Sequence, residues 1–482
     1  MATSIHRHSF THTTARHLPA RVGKLSGVAL ASRLLLVGLL AQVVAGPVLA
    51  APVTLAQQPA GTGGREPAPN VIISIDDSGS MDGDIPTGNY NTGLPSKMTK
   101  LKEALISQFG NPTANPPTKG KLEDDRIRLA WQAMWLNSAK SLTPGAANSM
   151  KSFSGAHRTS FYNFINALQP ASNTPSHRMV KQVYDYMRLP AQTNSPWADV
   201  PGVAQSTPYM ACRRTYHVFM TDGGWNANNN ESAGNADGTA RTLGDGVTNY
   251  DPTSNQSGAY KDAWGGTVGQ ESTVADIAFA SWATDLQDGS GGTQAMANSV
   301  SPLIRKSGNE VVGGVTLQEY WNPKNNPATW QHVVTHSIGF GNGAAKWTNN
   351  SGSTLVRPFW DNVTDSTYGG DYPNLVNGTV TWPDPINAMN ENGRPVELWH
   401  MALNGRGKFY PARSAEALSA AFADILDNVI NDTSKPLVSV SANSSRIRSG
   451  SRFYSAGYNG ADWSGYLKAY TVSVTNGLGI AP

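Results

Sequence analysis

Short apolar runs rich in β-branched residues alternate along this sequence with segments of helical spacing. The runs at 71–75, 216–220 and 333–340 lack polar alternation, which is typical of strands buried on both faces of a parallel sheet. The apolar and aromatic run 127–135 fits a strand better than a helix, because a helical segment already precedes it. Helices are predicted at 96–108, 159–168, 175–188, 273–286 (as an amphipathic helix), 396–403 and 414–430. This alternation predicts an α/β fold with a doubly wound, mostly parallel sheet and helices on both faces.

Long polar connections separate the predicted elements. The segments 223–272, 287–330 and 341–395 are rich in Gly, Asn, Ser, Thr and Asp, and loops of this length in a compact domain usually carry a function or are disordered. We therefore predict one domain, 70–435, with long loop insertions. The segment 436–482 has the pattern of short β-strands separated by turns. Because a few strands leave their edges unpaired, we interpret it as the start of a truncated β domain.

The first 50 residues have the features of a secretory signal peptide. A basic stretch precedes the apolar run 34–44, and Val48 and Ala50 supply the −3 and −1 positions of a cleavage site. The run is short for a transmembrane helix, and a retained membrane anchor is the alternative. The segment 51–69, rich in Pro, Ala, Gln and Gly, is predicted to be a linker. We expect an exported chain with no stable transmembrane segment after cleavage.

The net charge of the chain indicates whether nucleic acid is an expected partner. The net charge of +3 comes from this leader, because the rest of the chain carries 32 basic against 34 acidic residues. Without a basic excess the chain lacks the clustered Lys and Arg that bind phosphate backbones, so a nucleic-acid partner is not expected. Cys212 is the single cysteine and cannot form an internal disulfide. We interpret it as a buried, unreactive residue, with an intermolecular disulfide as the alternative.

Polar side chains follow two of the predicted buried strands. Asp76, Ser78 and Ser80 come directly after the run 71–75, on a turn that contains a glycine. Asp222 follows the run 216–220 in the same way. In an open parallel sheet, ligands bind outside the carboxyl ends of the strands, so neighbouring strands would direct both aspartates into one cavity.

A third loop supplies the last candidate ligand. Thr174 lies just before a predicted helix and offers a hydroxyl to the same cavity. Hard oxygen donors favour Mg²⁺, with Mn²⁺ or Ca²⁺ as alternatives, and a divalent ion would offset the repulsion between Asp76 and Asp222. Each residue also has a simpler explanation: Asp76 and Ser80 as helix caps, and Asp222 as a turn residue. We interpret the nearby Asp77, Asp82 and Asp84 as a solvated acidic rim.

These residues carry a resemblance to a known family. Asp76-x-Ser78-x-Ser80 after a strand, Thr174 before a helix and Thr221-Asp222-Gly223 after a later strand resemble the von Willebrand factor A domain. The resemblance implies a metal-ion-dependent adhesion site at Asp76, Ser78, Ser80, Thr174 and Asp222. It also implies an open position on the ion, which a carboxylate of a partner protein fills.

A narrower resemblance covers about 70–470. Segments in consistent order resemble the type IV pilus tip-associated factors of the PilC/PilY family: 209–226, 274–286, 329–341, 398–410 and 462–470. The resemblance implies a following β-propeller with a calcium loop, and roles in pilus assembly, adhesion and twitching motility. It implies minor pilins or host and surface ligands as protein partners, and a location at the periplasm, cell surface or pilus tip.

Signals of an enzyme are weak in the sequence. A nucleophilic Ser78 or Ser80 would need a base, and no histidine lies close to either in sequence. The histidines show no metal-ligand spacing: His157, His177, His217, His332, His336 and His400. His332 and His336 are predicted to be packing or surface residues. We therefore expect a non-enzymatic pilus biogenesis and adhesion factor. The alternatives are a generic exported metal-dependent interaction module and a metal-dependent hydrolase.

Overall fold

The computed structural model covers much of the chain after the predicted leader. The chain divides into two units, Met1–Pro59 and Ala60–Pro482, and all described residues belong to the second. The described ranges are 67–190, 193–201, 209–223, 225, 233–265, 272–341, 371–385, 394–431, 439–442, 452–458, 465–474 and 478–481. The predicted signal peptide, 1–50, and nearly all of the predicted linker lie outside them. No helix within these ranges is long and apolar enough to cross a membrane.

Six strands form the central sheet. They are β1 (Asn70–Ile75), β2 (Arg128–Ala133), β3 (Lys151–Ser152), β4 (Thr215–Thr221), β5 (Val334–Phe340) and β6 (Arg406–Ala412). Their order is β6-β5-β4-β1-β2-β3, and every neighbouring pair is parallel except β2 and β3. β1, β2, β4 and β5 are buried along their whole length, so the prediction of a mostly parallel, buried sheet is confirmed.

Helices cover both faces of the sheet. The main helices are α1 (Lys97–Phe109), α2 (Gly155–Ala167), α3 (Ser176–Met187), α4 (Val274–Ala283), α5 (Arg394–Asn404) and α6 (Ala415–Asn431). On one face, Val71 and Ile73 share a core with α1, α2 and α6. On the other face, Ile72 packs with α3, and Phe219 packs with α3, α4 and α5. The sheet is therefore doubly wound, as the alternation of strands and helices predicts.

The prediction that 273–286 forms an amphipathic helix is wrong. Every residue of α4 is buried, including the polar Asp276 and Ser281. The helix lies between the sheet, its neighbours α3 and α5, and a second core formed by the insertions. Its N-terminus is closed by a capping box in which the side chains of Thr273 and Asp276 accept reciprocal backbone hydrogen bonds.

β6 is a strand that the sequence pattern does not reveal. The helix predicted at 396–403 is found as α5, which ends at Asn404, but the strand that begins at Arg406 is not predicted. Gly407 is required by close packing, because a Cβ there would lie 2.1 Å from the carbonyl oxygen of Thr335 on β5. The glycine that looks like a helix terminator therefore allows an edge strand to approach the sheet.

The insertions carry short elements around their own core. The hairpins are Arg241–Thr242 with Asn249–Tyr250 and Glu310–Val312 with Val315–Leu317, and Tyr372–Val376 is a short helix. Their core is aromatic and contains Tyr250, Tyr260, Phe279, Trp282, Trp330, Trp382 and Trp399. The last four strands are Ser439–Ala442, Arg452–Tyr458, Gly465–Val474 and Leu478–Ala481. They form a separate antiparallel sheet, in agreement with the β pattern predicted for 436–482.

Candidate functional site

The two predicted aspartates follow neighbouring strands. β1 and β4 pair in register, with Ile75 opposite Met220, so Asp76 and Asp222 leave the sheet at the same edge. The backbone N–H of Asp76 donates to the carbonyl of Met220 over 3.0 Å. The structure therefore confirms that the two loops lie close together.

Asp76 lies at the centre of the arrangement and is fully buried. Its Oδ1 accepts from the N–H of Ser78 at 2.8 Å. Its Oδ2 accepts from Thr221 Oγ1 at 2.6 Å and from the N–H of Asp222 at 3.4 Å. Burial, and then the charge of Asp222, raise the pKa of Asp76 to about 7, against the opposing effect of these hydrogen bonds. The ionised carboxylate at this position therefore gains from a nearby cation.

The hydroxyls of Ser78 and Ser80 face each other at an Oγ–Oγ distance of 3.1 Å. They lie at the start of a short helical turn, Gly79–Asp82, which has no side-chain cap. The next long helix, α1, is capped by Ser96, whose side chain accepts from the N–H of Thr99. The alternative reading of Asp76 and Ser80 as caps of that helix is therefore wrong.

The loop of Thr174 is hydrogen bonded to the loop of Asp76. The N–H of Gly79 donates to the carbonyl of Ser172 at 3.0 Å, and the N–H of Ala171 donates to the carbonyl of Asp77 at 2.8 Å. Thr174 itself is buried and lies two residues before the start of α3, with Pro175 as the N-cap between them. In the structure, Asp76, Ser78, Ser80 and Asp222 therefore lie close together, and the loop of Thr174 packs against the loop of Asp76.

Lys97 is a member of this site that sequence reasoning missed. Its ammonium lies 2.9 Å from Asp222 Oδ2 and 3.2 Å from the carbonyl oxygen of Ser80. The side chain is 10% exposed, so the ion pair is largely desolvated. Lys97 is 17 residues from Ser80 and 125 from Asp222, and no local spacing could have assigned it to the site.

The donor set fits a hard divalent cation. All predicted ligand atoms are carboxylate or hydroxyl oxygens, which Mg²⁺, Mn²⁺ and Ca²⁺ prefer. Among the described residues, Asp222 Oδ1 is buried without a hydrogen-bond partner. A buried carboxylate oxygen in this state is costly, and an ion would satisfy it.

The solvated acidic rim predicted beside the site is wrong for two of its three members. Asp77 is buried, and its carboxylate accepts from the N–H groups of Trp135 and Leu136 at 2.9 and 3.0 Å. Asp84 is also buried and accepts from Thr87. Only Asp82 of the three is exposed. Asp77 and Asp84 therefore shape the loops rather than present charge to solvent.

The histidines agree with their predicted role, and the cysteine does not. His332 and His336 are buried, which confirms a packing role. Cys212, predicted to be buried, is exposed, because it lies in the turn before β4 rather than in the strand. Ser74 and His217 form a 2.8 Å contact that resembles a nucleophile–base pair, but both residues are buried within the sheet.

The fold and the site define a class: an α/β domain whose loops at the carboxyl edge of a parallel sheet gather carboxylate and hydroxyl oxygens. No protein-family model matches the chain. Over 325 residues, 66% of this chain, it is 34% identical to the type IV pilus biogenesis factor PilY1 of Pseudomonas aeruginosa strain PAK. It is 32% identical over 326 residues to PilY1 of strain PAO1, and 31% identical over 310 residues to PilY1 of strain UCBPP-PA14.

The chain spans about a quarter of the length of these relatives, with matched shares of 24%, 25% and 23%. The resemblance to type IV pilus factors is confirmed as homology to PilY1 over two thirds of this chain. The assignment of the domain to the von Willebrand factor A class stays a prediction.

Proposed function

We propose that this chain is an exported, non-enzymatic type IV pilus biogenesis and adhesion factor with a von Willebrand factor A-type domain. The domain binds a divalent cation and uses it to engage an acidic group of a partner protein. The observation that carries the proposal is the meeting of Asp76 and Asp222 at one sheet edge, beside the hydroxyls of Ser78 and Ser80. Homology to PilY1 supports the pilus context.

The proposed ligands of the ion are Asp76, Ser78, Ser80, Thr174 and Asp222. Mg²⁺ is the preferred ion, with Mn²⁺ or Ca²⁺ as alternatives, because every donor is an oxygen. Lys97 pairs with Oδ2 of Asp222 in this structure, so its positive charge lies beside the proposed ion, and we expect repulsion between the two cations to displace the ammonium. The lysine and the metal ion compete for the carboxylate of Asp222. The ion binds when its concentration is high enough to outcompete the ammonium.

The surface next to the proposed site suits an acidic partner. Trp135 donates from Nε1 to the carbonyl of Asn173 in the Thr174 loop. Lys140 Nζ lies 4.4 Å from the centre of the Trp135 ring, and the Arg178 guanidinium lies 5.6 Å from it. An aromatic side chain flanked by two cations attracts carboxylates and supports their approach to the ion. Minor pilins and host or surface proteins are the proposed partners, at the periplasm, cell surface or pilus tip.

Isothermal titration of the purified chain with Mg²⁺ tests the cation site. We expect saturable binding by the wild type and its loss in Asp76→Ala combined with Asp222→Ala. Asp82→Ala is the matched control, because Asp82 is acidic, exposed and on the same turn. Binding that persists in the double variant, or is absent from the wild type, contradicts the proposal.

A genetic experiment tests the pilus role separately. In the source organism, deletion of the gene is expected to reduce piliation and twitching, and the wild-type gene is expected to restore both. The Asp76→Ala gene should restore neither, while Asp82→Ala restores both. Normal piliation and twitching in the deletion strain would favour a generic interaction module, and metal-dependent hydrolysis of phosphoester or peptide substrates would favour the hydrolase.

A further inference from the structure

A second group of ionisable side chains lies inside the core of the insertions, away from the sheet edge. Its members are almost completely buried: Asp237, Asp262, Asp276, Glu397 and His400. One potential ligand atom from each of Asp237, Asp262 and His400 lies within 4.8 Å of the other two. Four carboxylates in an aromatic core cannot all stay charged unless a cation or protons neutralise them.

All four carboxylates accept hydrogen bonds from the surrounding chain: Asp262 Oδ1 accepts from the N–H of Trp264 at 2.8 Å, and Glu397 Oε1 accepts from the N–H of Ala275 at 2.9 Å. Asp276 Oδ1 accepts from the N–H of Ala236 and its Oδ2 from Thr273, so its role is to cap α4. Asp237 Oδ1 accepts from the N–H of Asp262 at 3.0 Å, and its Oδ2 accepts from Asn404 Nδ2 at 2.7 Å. These bonds fix Asp237 beside Asp262 and leave further lone pairs on its oxygens.

Asp262 and His400 keep unsatisfied atoms that face each other. Within the described part of the chain, Asp262 Oδ2 and His400 Nδ1 are buried without a hydrogen-bond partner. His400 Nε2 lies 2.5 Å from the carbonyl oxygen of Tyr260. Because a carbonyl only accepts, Nε2 carries the proton and Nδ1 presents its lone pair. A histidine whose second nitrogen donates to a carbonyl has the usual arrangement of a metal ligand.

The separations of His400 Nδ1 from two carboxylates suit a shared ion, while Asp237 Oδ2 lies beside the other ring nitrogen, 3.6 Å from Nε2. His400 Nδ1 is 3.6 Å from Asp262 Oδ2 and 3.5 Å from Glu397 Oε2, too far for hydrogen bonds. Two ligands held about 2.0–2.1 Å from a tetrahedral ion lie roughly 3.3 Å apart. The imidazole plane is fixed by Trp382, whose ring stacks on it at 4.1 Å and 15°.

We propose that Asp237, Asp262 and His400 bind a divalent transition ion, Zn²⁺ or Mn²⁺, with Glu397 as the adjacent carboxylate. The imidazole nitrogen distinguishes this site from the all-oxygen site at the sheet edge and disfavours Mg²⁺. The ion would join two positions of the insertion to α5, 163 and 138 residues further along the chain. It would stabilise an insertion that has no disulfide available, since the chain contains one cysteine.

The test measures zinc retention by the full chain. Protein stripped with EDTA is incubated with Zn²⁺ in excess Mg²⁺, desalted and analysed for metal. We expect one equivalent of zinc to remain, a rise in the unfolding temperature, and visible absorption bands when Co²⁺ replaces it. Asp262→Asn and His400→Gln are each expected to lose the zinc and the bands. Asp251→Asn, an exposed acid in the same insertion, should keep both.

The design separates this proposal from the sheet-edge site. Asp76→Ala should retain the zinc even though it loses Mg²⁺ binding, so either proposal can fail alone. Circular dichroism shows whether each variant is folded; if neither ligand variant folds, the cobalt spectrum and zinc-dependent unfolding temperature of the wild type decide. A wild type that retains no zinc overturns the proposal, and so do ligand variants that retain as much zinc as the wild type. Either result would mean that protons neutralise the cluster.

Discussion

Lys97 neutralises Asp222 across 2.9 Å, at the position where the oxygen ligands of the sheet edge meet. The same ammonium donates to the carbonyl of Ser80, so one side chain joins two of the three loops. A lysine in this place keeps the loops together when no metal ion is bound. We also expect it to lower the affinity for the proposed ion, because the positive charge of the ammonium opposes a second cation at the same carboxylate.

Removing this lysine is expected to separate stability from metal affinity. Lys97→Met leaves Asp222 buried without its partner, so without Mg²⁺ the free energy of unfolding should fall by about 3 kcal/mol. With the competitor gone, Mg²⁺ should bind about tenfold more tightly, equivalent to about 1.4 kcal/mol. Urea unfolding and calorimetric titration measure the two effects. Lys100→Met, on the same helix with an exposed partner, is the control, and unchanged or weaker Mg²⁺ binding by Lys97→Met refutes the competition.

Buried histidines predict how stability depends on pH. Burial lowers the pKa of His217 and His336 to about 3 and that of His332 to about 4, against 6.5 for an exposed imidazole. Below pH 6.5 the unfolded chain binds protons that the folded protein does not. Their contribution is therefore complete above pH 6.5 and is lost as the pH falls towards 4, at about 1.4 kcal/mol per pH unit for each histidine.

His217→Gln tests this dependence at one position. The amide can still bond to the hydroxyl of Ser74, which His217 Nε2 contacts at 2.8 Å. Urea unfolding between pH 7 and pH 5 should then show a mean slope smaller by about 1 kcal/mol per pH unit than that of the wild type. Identical slopes for the two proteins would show that His217 is protonated in the folded state.

Among the helices and strands, the sequence predicts those that are marked by a local pattern of residues. The apolar run 71–75 and the helix beginning after Ser96 are found where their spacing indicates. Burial of α4 on all sides is not predictable in this way, because it depends on the distant insertions that cover it. β6 is missed for a related reason: its edge position lets Lys408 and Phe409 remain partly exposed, so it lacks the uniform apolar run of a central strand.

The close packing of β6 against β5 at Gly407 can be tested by substitution. Gly407→Ala places a Cβ against the Thr335 carbonyl, so β6 must move from β5 and the free energy of unfolding should fall by about 1–3 kcal/mol. Lys408→Ala, in the same strand, removes only an ion pair with the half-exposed Asp424 and should cost less than about 1 kcal/mol. Equal, small losses in the two variants would mean that β6 does not pair closely with β5.

At the scale of the whole molecule, the chain places two groups of carboxylates in different settings. The sheet-edge group lies on three loops and was predictable, because Asp76 and Asp222 each follow an apolar strand. The group around His400 was not predictable, because Asp237, Asp262 and His400 lie far apart in sequence and no motif joins them. Only the packing of the insertion onto α5 brings them together.

The match to PilY1 sets the scope of the functional account. It covers two thirds of this chain but about a quarter of each relative. The proposed role in pilus biogenesis therefore concerns this α/β domain and does not extend to the activity of the longer proteins.

A crystal structure of the chain with Mn²⁺, using the anomalous signal of manganese, tests the central claim most directly. The account predicts a peak at the carboxyl edge of β1 and β4, about 2.0–2.3 Å from oxygens of Asp76, Ser78, Ser80 and Asp222 or from waters they hold. It also predicts that the Lys97 ammonium has left Asp222. No manganese at this edge, with Lys97 still bound to Asp222 at saturating Mn²⁺, would contradict it.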